Sequence, residues 1–147
     1  MNAAGILVGG VIPALFLGLG TVLMRSSIAA GASIPTYLAV IGTTIAVIGW
    51  GSLVLTGQSG GLRVSGAVGW AVAMALTWSV AIACITYGFG VLKLPVAVVA
   101  PLTNANALVA VAVGALVFGE WRSLHLPMTA GGTLLICIGA TLVSLSK

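Results

Sequence analysis

Six charged side chains in 147 residues decide most of what this chain can become. They are Arg25, Arg63, Lys93, Glu120, Arg122 and Lys147, and they leave uncharged intervals at 1–24, 26–62, 64–92, 94–119 and 123–146. Each interval is at least as long as the ~20 residues with which a helix crosses ~30 Å of hydrocarbon. A water-soluble domain of this size charges about a quarter of its positions; here 4% are charged and 61% are hydrophobic. The chain therefore reads as one transmembrane domain over 1–147, with crossings at about 3–24, 33–55, 64–87, 94–119 and 127–144. Barrel strands would alternate apolar and polar residues over about ten positions. These intervals are apolar on every face, so the expected fold class is an all-α integral membrane protein with five transmembrane helices in one bundle. Short connections make consecutive helices antiparallel neighbours.

The net charge of +4 does not point to nucleic acid, because the cations stand singly at span ends, where they meet headgroups and interfacial water. Cys84 and Cys137 lie inside apolar stretches without a CxxC or a metal spacing, and they read as small hydrophobes. Residues 1–24 lack the basic start and short apolar core of a cleavable signal, so the first segment is expected to remain as a span.

Local signals refine the spans. Pro13 in the first and Pro101 in the fourth each remove an N–H and crowd the carbonyl four residues back, which kinks a helix. Ser33-Ile34-Pro35 opens the second span with a capping residue and a first-turn proline. Residues 56–61 form the clearest loop. The chain has 21 glycines, including a Gly5-xxx-Gly9 pair of the kind that lets membrane helices approach closely.

The segment that departs from plain hydrocarbon is Ala100-Pro101-Leu102-Thr103-Asn104-Ala105-Asn106, near the centre of span four. Amides and a hydroxyl at this depth are costly unless they are paired or solvated, so they should face other helices or a water-filled cavity. Thr103, Asn104 and Asn106 are read either as substrate-contacting groups or as interhelical hydrogen-bonders. Asn104 shares a side with Pro101 and Ala97, whereas Asn106 points elsewhere. Trp78, near the middle of span three, is read as cavity lining or as ordinary packing. Trp50, Tyr37, Trp70, Tyr87 and Trp121 fall near span ends and read as interfacial anchors. Arg25 either snorkels to headgroups or holds an anionic group. Glu120 caps or pairs structurally in preference to coupling transport.

No Asp or Glu lies inside a span, so no embedded carboxylate is available to pair with a cationic drug or to carry a proton. Neither a catalytic constellation nor a metal-ligand cluster is legible, so no catalytic residue, metal or cofactor is assigned and an enzyme is not expected. A ring of charges or a filter loop for a selective channel is also missing from the sequence.

The stretch from Leu92 to Gly139 resembles the second half of an EamA-type domain of the drug/metabolite transporter superfamily. The resemblance rests on Pro95 opening the fourth helix, Pro101 a turn and a half on, Gly119-Glu120 at its end, and Gly132 with Gly139 on the fifth. Ala107 departs from it, standing where many relatives have a proline, and the interval from Glu120 to Gly132 is slightly long. The small multidrug resistance branch has four spans and a carboxylate in the first, neither of which is present.

The resemblance implies a single five-helix inverted-repeat unit, whose missing half would be a second copy inserted in the opposite sense, a parallel copy, or another protein. Basic residues are split two against three between the two sides, a bias small enough to permit insertion both ways. The expected function is a small secondary transporter of the cell (inner) membrane, working by alternating access as a dimer on a neutral, zwitterionic or amphipathic metabolite. Its partners would be that solute, membrane lipids and a second copy. The rivals are a flippase for lipids or lipid-linked sugars and a non-transporting subunit of a larger complex.

Overall fold

The computed structural model of the chain describes residues 3–57, 66–119, 122 and 125–145. Arg63, Glu120, Trp121 and Lys147 lie outside the described residues. Among the described residues the secondary structure is helical, joined by turns, with no strand. The first helical segment is α1 (Ala3–Ile6), a π-helical turn (Leu7–Val11) and α2 (Ile12–Ala29). It is followed by α3 (Ile34–Leu55), α4 (Gly66–Gly90), α5 (Val96–Thr103), α6 (Asn106–Val117) and α7 (Leu126–Leu145).

Four of these segments are long and apolar enough to cross a bilayer: Ala3–Ala29, Ile34–Leu55, Gly66–Gly90 and Val96–Val117, with mean hydropathy between 1.9 and 2.3. Pro127–Val143 in α7 is a shorter apolar helix. The outward faces agree with a lipid solvent. Leu15, Phe16 and Leu17 are 69%, 70% and 67% exposed, and three consecutive residues point in three directions around a helix, so this turn is apolar and uncovered nearly all round. Water would penalise such a surface, whereas hydrocarbon accepts it as long as the backbone is satisfied within the helix. The described residues are therefore those of a helical, multi-pass membrane protein.

The chain divides into two compact units. One comprises Val22–Lys93. In it α3 packs on α4, and the end of α2 packs on the end of α4, where Met24, Ile82, Thr86, Gly88 and Phe89 are buried. A Cβ added at Gly90 would come within 3.3 Å of the Ile28 side chain, so the absence of one permits this approach. Thr86 is fully buried and donates to the carbonyls of Ile82 and Ala83 at 2.8 and 2.9 Å, which satisfies its hydroxyl within its own helix. The other unit is Met1–Thr21 with Leu94–Lys147. There α5 packs on α7, and Val99, Thr133 and Ala140 are buried.

Helix limits have local causes. The π turn sits just before Pro13: the Ile12 N–H bonds the Leu7 carbonyl, five residues back. Proline cannot offer an N–H to Gly9 and its ring crowds that carbonyl, and a widened turn accommodates both demands. Ser33 accepts a hydrogen bond from the Thr36 N–H at 3.3 Å and caps α3, with Pro35 in the first turn. The first helix runs to Ala29 rather than stopping at Met24, since Arg25 is a good helix former with somewhere to put its charge. It ends at Gly31, whose φ of 98° is left-handed. The N–H of Gly31 bonds Ile28 and that of Ala32 bonds Ser27, the paired bonds of a Schellman cap. Gly31→Val should cost about 1–2 kcal/mol, because a branched Cβ collides with the backbone in that conformation. Chemical unfolding of the purified protein in mixed micelles checks this, with Ala32→Val as the control.

Nothing lies within 4 Å of a Cβ built at Gly5, Gly9, Gly132 or Gly139. The close approach that the Gly5-xxx-Gly9 spacing offers is not made to any described residue.

Candidate functional site

The polar segment of span four is where the structure departs most from a straight apolar helix. Pro95 is extended (φ −77°, ψ 151°) and precedes the first turn of α5. The proline ring has no N–H to lose there, so the position suits it. Pro101 lies inside α5 and is half-buried. Two residues later the α-helix stops, and Asn104 and Ala105 form a turn before α6 resumes at Asn106.

The turn keeps helical dihedrals but tightens its hydrogen bonds. Ala105 N–H bonds the Leu102 carbonyl at 3.1 Å, Ala107 bonds Asn104 at 3.1 Å, and Leu108 bonds Ala105 at 3.0 Å. Each bond spans three residues, the 3₁₀ pattern, which in mid-helix marks local strain or a hinge. The disturbance expected at Pro101 takes the form of a break: the span is two helices, Val96–Thr103 and Asn106–Val117. Pro101 lacks a donor, and Thr103 adds a competing one by giving its hydroxyl proton to the Ala100 carbonyl at 2.9 Å. Two departures from the α ladder within three residues weaken the helix where the break occurs.

The side chains at the break behave differently. The Thr103 hydroxyl is half-buried and satisfied by its own helix. Asn104 and Asn106 are exposed, and neither amide has a hydrogen-bond partner among the described residues. In water this would carry no cost. At mid-span it does, since each amide brings two donors and an acceptor into hydrocarbon. Something outside the described residues must therefore meet them, whether water, a solute or protein.

Pro101, Thr103, Asn104 and Asn106 are thus gathered in one turn of the unit that contains α5, α6 and α7. Trp78 is half-buried on α4 and belongs to the other unit, Val22–Lys93. Gly119 has a left-handed φ of 67° just after α6, and Gly132 and Gly139 lie exposed on α7. Pro13 follows the π turn of the first segment. The end-of-span aromatics Trp50, Trp70 and Tyr87 are 56%, 79% and 48% exposed, as side chains reaching interfacial lipid would be.

One tertiary contact is not legible in the sequence. Arg25 donates from Nη1 to the Phe89 carbonyl at 2.9 Å, and its Cζ lies 5.8 Å from the centroid of the Phe89 ring. This fastens the end of α2 to the end of α4. The acceptor is a backbone atom 64 residues away, so no side-chain motif could have announced it. Comparison of the chain with protein-family models, with curated proteins and with solved structures finds no match.

Proposed function

We propose that two copies of this chain form a small secondary transporter of the inner cell membrane, of the EamA type, each copy crossing five times. The fifth crossing is α7, whose 20 residues reach about 30 Å at 1.5 Å per residue and which packs on α5. The observation that carries the reading is the break at Asn104-Ala105, with two amides that have no partner among the described residues, in a segment otherwise apolar enough to span a bilayer. Broken helices at mid-membrane depth are tolerated where they are buried in protein or line a water-filled cavity, and they recur at the substrate sites of transporters.

In this mechanism the 3₁₀ turn acts as the hinge between α5 and α6, and the π turn before Pro13 gives the first segment a second weak point. Asn104 and Asn106 present donors and acceptors to the solute without a fixed charge. That suits a neutral, zwitterionic or amphipathic metabolite better than a permanent ion, whose desolvation would need a counter-charge. The uncovered glycine faces on α1, the π turn and α7 offer a second copy places for close backbone approach.

Reconstitution tests the reading. Proteoliposomes should accumulate at least one member of a panel of radiolabelled zwitterionic amino acids, sugars and amphipathic amines above protein-free vesicles. A panel on which none moves, with the protein shown to be folded, favours the non-transporting subunit.

A further inference from the structure

A second feature lies in the unit Val22–Lys93, away from the polar break. The end of α2 and the start of α3 form a groove of about 280 Å³ lined by Ser27, Thr36, Tyr37, Val40, Ile41 and Thr44, together with Ala32. From Thr36 to Thr44 it follows α3 for eight residues, about 12 Å along the axis. Its outer end lies at the mouth of two spans, within a turn of the Ser33 cap and of the Schellman cap at Gly31. Its inner end lies ten residues into α3, near the bilayer midplane.

Hydroxyl bookkeeping separates the two ends. At the inner end Thr44 donates to the Val40 carbonyl at 2.8 Å. At the outer end Thr36 is hydrogen-bonded to Ser33 at 2.7 Å. The hydroxyls of Ser27 and Tyr37, both half-buried, have no partner among the described residues. Unmet donors therefore sit at interfacial depth, and apolar Val40 and Ile41 continue the groove inward.

We infer that this groove binds one acyl chain of a bilayer phospholipid, with the ester oxygens of that chain accepting from Ser27 and Tyr37. The acceptors available at that depth in a bilayer are lipid esters and interfacial water, and water does not fill an apolar wall. The site does not depend on the transport reading, because no residue of the polar break takes part.

The full-length protein, reconstituted in phosphatidylcholine vesicles doped with phosphatidylcholine carrying a diazirine midway along one acyl chain, supplies the test. After photolysis and peptide mapping, label should concentrate on Val40–Thr44 relative to the more apolar and exposed turn Leu15–Leu17. The double variant Ser27→Ala/Tyr37→Phe should lower the groove label tenfold or more, the equivalent of two lost hydrogen bonds, and leave the label at Leu15–Leu17 unchanged. Val40→Trp should block the groove by bulk. Equal labelling of both faces, or groove label indifferent to the double variant, overturns the site. So does disulfide trapping of Val40→Cys between copies without groove label, which would show that a second chain covers it.

Discussion

Asn104→Leu is expected to reduce solute uptake into proteoliposomes by tenfold or more while leaving helical content and dimer yield intact. The amide has no partner among the described residues, so its removal costs the fold no internal hydrogen bond, and leucine is the better guest in hydrocarbon. On the proposed transporter reading, what is lost is a hydrogen bond to the solute in a site shielded from water. There an unmade bond costs about 1–3 kcal/mol, and each 1.4 kcal/mol is a factor of ten. A structural amide pairing across a dimer interface would give a different pattern, with dimer yield falling together with transport. Asn106→Leu provides an internal comparison, since Asn106 opens α6 beyond the turn and the two amides need not serve one solute equally. Wild-type uptake by Asn104→Leu would refute the assignment of this turn as the solute site.

How much of this was legible beforehand varies with the range of the interaction concerned. Charge punctuation located the helices, because the cost of burying charge in lipid acts residue by residue and needs no tertiary context. The cap at Ser33-Ile34-Pro35 was legible for the same reason: its hydrogen bond spans three residues. The first span was expected to close at Met24, but Arg25 carries the helix on because its guanidinium finds the Phe89 carbonyl, an acceptor that sequence proximity does not reveal. Pro101 announced a disturbance in span four without announcing its form. The shift to three-residue bonds at Ala105, Ala107 and Leu108 follows from Pro101 and Thr103 acting together. The polar residues of the candidate site were legible from their depth alone. Whether Trp78 approaches them was not, since that depends on how helices far apart in the sequence meet. The groove at Ser27 and Tyr37 escaped notice because both residues read as ordinary end-of-span polarity.

Phe89→Ala is expected to be the most destabilising single change in the unit Val22–Lys93, at about 2–3 kcal/mol. In a soluble core the loss would be about 3–5 kcal/mol. Part of that figure is transfer from water, which a bilayer largely removes, leaving the lost packing and the cavity. Phe89 is fully buried, so few of its contacts can be replaced by lipid. Arg25→Met retains the apolar stem and removes the donor. Because α4 ends at Gly90, the Phe89 carbonyl is among the terminal carbonyls without a helical partner, and removing a charged donor from it should cost about 1.5–3 kcal/mol. The two changes share the guanidinium-ring contact at 5.8 Å, so the double variant should be less damaged than the sum of the singles by about 0.5–1 kcal/mol. Unfolding in mixed micelles measures all three. A guanidinium that merely snorkels to headgroups would give a small loss for Arg25→Met, under about 0.5 kcal/mol, and strict additivity with Phe89→Ala. Only the clamped arrangement couples the two sites, because only there does truncating the ring also strip the arginine of a surface to lie on.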